Sequence, residues 1–177
     1  MWWWSYSHGT ALNWIYRHIV KKRQPCYFGC IDHDLFPIKP VCPVEHLARQ
    51  PIYGIIEERG RYWYLWAGFC LFRFDFVRNK KIDFLPTKPK TIYLDTGGSN
   101  WYSIYSKINK TSMSFASSRC QTIVEKENGK NGRINLWVEY LDDTWLHTAG
   151  ASNYAKIAPE QIERKEDAIW KILKKHW

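Results

Sequence analysis

Residues 26 to 46, CYFGCIDHDLFPIKPVCPVEH, gather three cysteines and two histidines into one proline-broken stretch. Within it Cys26, Cys30, Cys42 and His46 are spaced Cys-x3-Cys, eleven residues, Cys-x3-His. Tetrahedral zinc takes four thiolate and imidazole ligands of this kind, and both short spacings fall within those of structural sites. The commoner knuckle is Cys-x2-Cys with nearby glycines that expose backbone amides to the sulfurs. Here only Gly29 is at hand, and Pro37, Pro40 and Pro43 crowd the stretch. The expectation is therefore no metal and no cofactor, with Cys26, Cys30 and Cys42 packed beneath the loop as small hydrophobes.

Two further histidines invite a chemical reading. His33 lies between Asp32 and Asp34, a carboxylate-flanked arrangement suited to metal or acid–base work, although sequence neighbours do not face one site. His147 follows Asp142-Asp143, and if these form a two-residue turn, Val138 faces His147 and Tyr140 faces Trp145. On that register His147 is a core histidine among apolar neighbours, while Glu139 is on the opposite face and solvated. The chain carries no Gly-rich phosphate loop, GxSxG elbow or HExxH helix, so no catalytic residue is assigned. The expected protein leans non-enzymatic, and a hydrolase or nuclease built from distant residues is the second alternative.

A binding surface is the better-supported chemistry. The chain has 26 Lys and Arg against 17 Asp and Glu, a formal net charge of +9, which favours an acidic partner. Aromatic residues make up 17%, and Trp and Tyr pair a large apolar body with a polar tip. If Ala67-Gly68 is a hairpin turn, one strand face carries Trp63, Leu65, Cys70, Phe72 and Phe74, a credible core. The other carries Tyr62, Tyr64, Trp66 and Arg73, whose rings and guanidinium could stack on bases. Arg78, Lys80, Lys81, Lys88 and Lys90 would then meet phosphates. Cover by a helix or by a partner is the competing account of that face. The runner-up function is an inhibitor or immunity-like factor whose Tyr, Trp and Arg side chains contact an acidic protein. The tryptophans at 2 to 4, near Lys21 to Arg23, offer a third and less favoured contact, with a membrane interface.

The elements that must position these residues follow from punctuation and period. Thr10 can cap a helix over Ala11 to Arg23, with Leu12, Ile15, Tyr16 and Ile19 at helical spacing and Pro25 as its stop. Residues 25–51 hold five prolines and are expected as loop. Strand-like runs follow at Ile52 to Glu57, Arg61 to Trp66, Phe69 to Val77 and Ile82 to Leu85, a meander broken by Arg59-Gly60, Ala67-Gly68 and Asn79-Lys80. TIYLDTGGSNWYSIYSK resumes with a strand, a Gly-Gly turn and a further strand. Gln121 to Glu127 and Arg133 to Tyr140 flank NGKNG as a hairpin. Pro159 opens a last helix with Ile162, Ile169, Ile172 and Leu173 as its buried stripe. The sum is α+β, a central antiparallel sheet with a helix toward each end, in a single domain over 1–177.

Five cysteines and a chain too long to need a disulfide framework favour a reducing compartment, hence the cytoplasm. The N-terminal stretch has no basic region ahead of its apolar part and no small-residue cleavage site. The longest apolar run, Tyr62 to Phe72, is far short of the roughly 20 residues of a membrane-spanning helix.

Overall fold

The computed structural model describes residues 2–123, 137–149 and 159–176. The fold is α+β, with two antiparallel sheets, an N-terminal helix and a C-terminal helix. The contacts of the chain fall into two compact units, residues 1–32 with 42–116, and residues 33–41 with 117–177.

In the first unit the N-terminal helix starts at Trp2, well before Thr10. It runs over Trp2–Ile15, passes through a wider π-helical stretch at Tyr16–Val20 and ends with Lys21–Arg23. Thr10 is no cap, since its hydroxyl donates back to the Tyr6 carbonyl at 2.8 Å inside the helix. Gln24 closes the helix in a left-handed conformation (φ 46°), its amide donating to the Val20 carbonyl, ahead of Pro25. Gly9, Asn13 and Tyr16 form the buried face. Gly9 is there because a Cβ would meet the Phe84 carbonyl oxygen at 2.5 Å. Asn13 then donates to Asp83 at 2.8 Å and accepts from the Phe84 amide at 2.9 Å.

The sheet of this unit has the order β1-β4-β3, with β1 at Tyr27–Ile31, β3 at Ile52–Arg59 and β4 at Tyr62–Arg73. Gly60 (φ 61°) and Arg61 make the tight β3–β4 turn that the sequence signals, with Arg59 opposite Tyr62. No turn forms at Ala67-Gly68. β4 is one strand of 12 residues, and the irregularity there is a bulge. Gly54 pairs with Cys70 but Ile56 pairs with Leu65, so Ile55 faces the four residues Trp66 to Phe69. Gly54 (φ 153°) fits the bulge because a Cβ would lie 2.3 Å from the Phe69 carbonyl oxygen.

Beyond β4 the sequence expectation of strands gives way to helical turns and loops. Phe74–Val77 is a helical turn, and 3-10 turns form at Gly98–Trp101, Tyr105–Lys107 and Lys110–Ser112. Ile82 to Leu85 is no strand because side chains take the place of a ladder partner. Asn100 accepts from the Asp83 amide at 2.9 Å, as Asn13 does from Phe84. Tyr16, Trp63, Tyr64, Phe72, Phe84 and Tyr105 are among the buried residues of this aromatic core.

The second unit has the sheet order β2-β7-β6-β5, from Leu35–Pro37, Trp145–His147, Trp137–Leu141 and Ser118–Thr122. β1 and β2 thus both arise within the segment expected as loop. Of the hairpin expected around NGKNG, the β5–β6 pairing is formed, from Ser118 opposite Leu141 to Thr122 opposite Trp137, while the turn lies outside the described residues. The C-terminal helix, Pro159–Leu173, starts on proline as expected and buries Ile169 and Leu173 against Ile38, Val138 and Leu146. Among the described residues no helix is long and apolar enough to cross a membrane.

Candidate functional site

The four residues with zinc-like spacing, Cys26, Cys30, Cys42 and His46, are not brought together. Cys26 and Cys42 are exposed, and Cys30 lies opposite Cys70 in the β1–β4 register. His46 stacks flat on Tyr53, ring centroids 3.7 Å apart. Among the described residues no three His, Cys, Asp or Glu side chains are grouped to hold a metal ion. The expected burial of all three thiols is corrected with this: the buried cysteine is Cys70, 1% exposed, whose thiol pKa the Cys30 side chain and burial both raise.

The carboxylates flanking His33 part company, since Asp32 faces His8 at 3.7 Å and Asp34 faces His147 at 3.6 Å. His147 also departs from expectation. Asp142 (φ 52°) and Asp143 (φ 50°) do form the turn, closed by the Thr144 amide donating to the Leu141 carbonyl at 3.0 Å. One residue, Thr144, then stands outside the ladder, its carbonyl accepting from the Ile38 amide at 2.8 Å. Pairing resumes with Leu141 opposite Trp145, which puts Glu139 opposite His147. This one-residue shift moves Glu139 to the histidine's own face.

His147 Nδ1 and Glu139 Oε2 are 2.9 Å apart, and Ser118 donates to the other Glu139 oxygen. Burial opposes the charged ring, but the Asp34 and Glu139 carboxylates outweigh it and push the His147 pKa up to about 9. The His147 hydrogen bond in turn holds Glu139 below its usual range. At Asp34 burial acts the other way and is overcome by the same imidazole. With a carboxylate at each ring nitrogen, the imidazolium is a strut rather than a base. Lys165, on the expected apolar stripe of the C-terminal helix, is 1% exposed and donates to the Ala149 carbonyl at 2.5 Å. Burial lowers its pKa to about 8, with Asp34 pulling back.

The expected stacking face is redistributed in the same plain way. Tyr62 and Tyr64 are buried, 4% and 1% exposed. Tyr62 meets Trp101 edge-on at 5.3 Å and takes a bond from Arg61, and the Tyr64 hydroxyl accepts from the Asp95 amide at 3.0 Å. Burial pushes the Tyr64 hydroxyl pKa up to about 12. Trp66 is half-buried, its ring folded over Gly68, where a Cβ would lie 2.1 Å away. Lys80 is half-buried with its ammonium 4.4 Å from the Phe76 ring centroid, while Lys81, Lys88 and Lys90 are exposed.

Arg73 and Arg78 are the two expected residues that the fold brings to one place. Both line an open cleft of about 380 Å³ in the first unit, with Gln24, Cys26, Tyr27 and Asp75. Arg73 ends β4 and pairs with Tyr27 on β1, so ring and guanidinium are cross-strand neighbours. Asp75 holds Arg73 by two bonds, 3.2 Å to Nε and 2.6 Å to Nη2, and the Tyr27 ring is 41% exposed. Tyr27 was missed in the sequence because proline masked its strand. The signal was the alternation in Tyr27-Phe28-Gly29-Cys30-Ile31, where Phe28 and Cys30 turn inward. Comparison of the chain with protein-family models, curated proteins and solved structures finds no match.

Proposed function

We propose that this protein is a basic, non-enzymatic domain that binds nucleic acid, single strands in preference to duplex, through the cleft between β1 and the end of β4. The observation that supports the reading is the convergence of Arg73, Arg78 and the half-exposed Tyr27 ring on one open cavity. A planar ring accepts an unpaired base by stacking, which a base inside a duplex cannot offer, while the Arg78 guanidinium neutralises an adjacent phosphate and Arg73, its charge shared with Asp75, offers its remaining N–H groups. Asp75 fixes the plane of Arg73, which lowers the ordering cost of a phosphate contact. The exposed Lys81, Lys88 and Lys90 and a net charge of +9 add sequence-independent attraction along a strand.

The test is fluorescence anisotropy with a labelled single strand and its duplex over a salt series. Tyr27→Ala should weaken the single strand more than the duplex, by about 1 to 3 kcal/mol for one stacked base. Arg78→Ala should weaken both and reduce the salt slope by about one unit. The absence of association with any oligonucleotide at moderate salt would sink the reading. An interface with an acidic protein would then take its place, marked by a weaker response to salt.

A further inference from the structure

The N-terminal helix leaves one face unaccounted for. Its inward side, Gly9, Asn13 and Tyr16, is fixed to the aromatic core by close approach, hydrogen bonds and burial. Trp3, Trp4 and Trp14 therefore do not dock into the domain: Trp3 is 85% exposed, Trp4 81% and Trp14 55%, with Ile15 at 42% and Ile19 at 40%. Trp3 and Trp14 are eleven residues apart, as are Trp4 and Ile15, and eleven α-helical steps return to within about 20° of the same azimuth. Two adjacent apolar rows thus run along the outer side. Exposed Lys22 and Arg23 continue that surface at the C-terminal end, with Arg17 at its flank, whereas Lys21 stands over the inward Tyr16 ring; the sequence has no Asp or Glu before Asp32.

We infer that this outer face docks on an anionic membrane surface, the helix lying in the plane of the interface. The indoles enter the headgroup boundary and the terminal cations meet lipid phosphates and carboxylates. Indole rings concentrate at such boundaries because one part is apolar and the N–H is polar. A basic cluster beside an apolar helical face is the charge complement of an anionic leaflet. The absence of acidic residues along the whole stretch is what that occupant requires. The face is distinct from the cleft of Tyr27, Arg73 and Arg78, so the two readings fail separately.

Flotation of the full chain with phosphatidylcholine vesicles, with and without phosphatidylserine, tests it. The wild type should float with the anionic vesicles at least about ten-fold better than with the neutral ones, and less as salt rises. Trp3→Ser combined with Trp4→Ser and Trp14→Ser should cut flotation at least about five-fold while leaving the thermal midpoint in place, because these rings make no core. Lys22→Glu with Arg23→Glu should remove the preference for phosphatidylserine, and Arg78→Ala should leave flotation unchanged. No flotation with anionic vesicles overturns the inference, as does flotation that the triple tryptophan variant retains. A wild-type dimer that this variant converts to monomer, with no vesicle binding, overturns it in favour of a second copy of the chain. Loss of oligonucleotide binding in that variant, again without vesicle binding, overturns it in favour of nucleic acid.

Discussion

The two units tie their buried segments together by opposite means. In the first, neutral amides do the joining. Asn13 and Asn100 hold the segment at Asp83 and Phe84, and Gln50 bonds the Ile52 and Ser114 carbonyls at 2.7 Å and accepts from the Ser114 amide and hydroxyl at 2.9 Å. In the second, ionised groups take that part: Asp34, Glu139, His147 and Lys165 are gathered around β2, β6 and β7 and the C-terminal helix. Amides supply donors and acceptors whatever the pH, whereas a charged cluster holds only while each member keeps its protonation state. The lesson is that overall charge says little about where charge is structural.

Removing the histidine should have the largest effect. His147→Ala leaves two mostly buried carboxylates without the cation that joins them, so equilibrium unfolding in urea should show a loss of about 3 to 5 kcal/mol. A variant as stable as the wild type would show that the triad is not a structural joint. Next comes its neutral counterpart. Gln50→Ala strands the Ser114 amide and two carbonyls, and a loss of about 2 to 3 kcal/mol is expected, equal at pH 6 and pH 8.

The third prediction separates the two directly. The His147 pKa is raised from 6.5 to about 9, so its stabilisation is complete below about 6.5 and drains away as pH climbs toward 9. Asp34 and Glu139 are depressed, so theirs is present above the ordinary carboxylate range and fails on strong acidification. Lys165, lowered from 10.5 to about 8, works the other way, and the protein regains stability between those values. Between pH 6.5 and pH 8 the loss at His147 should lower stability by about 2 kcal/mol. Thermal melts over that range should slope downward in the wild type and in Gln50→Ala, and be flat in His147→Asn.

What the sequence disclosed follows the same division between local and non-local causes. Pro25, Gly60 and Pro159 act on their own backbone, and the helix end, the β3–β4 turn and the start of the last helix fall where those residues put them. The bulge at Ile55 was beyond reach because Ala67-Gly68 has the composition of a turn, and only pairing with β1 and β3 holds β4 extended through it. Ile82 to Leu85 has strand composition, but its Asp83 and Phe84 amides bond the side chains of asparagines 100 and 13, which strand composition does not reveal. The histidine triad hinged on the position of Thr144, a single residue outside the ladder, which turn chemistry alone did not specify. Of the proposed interface, Arg73 and Arg78 were legible as cations near a strand end. Tyr27 was not, since its partner across the ladder is 46 positions away by register.

The wide stretch at Tyr16–Val20 works as a gearing element. A π-type turn takes in one residue more than an α-turn, roughly 100° of rotation for everything beyond it. The azimuth of Lys22 and Arg23 relative to Trp3 and Trp4 is therefore set at this one place, by residue count rather than by side-chain identity. Deleting a single residue there would leave the composition, the net apolar surface and the inner anchor at Gly9 and Asn13 nearly as they are. It would swing the cations to another side of the rod. The arrangement is sensitive to insertions and deletions even at the exposed Arg17, His18 and Ile19, where a change of side chain leaves the azimuth as it is, an asymmetry between two kinds of mutation that a scan of point changes would never detect.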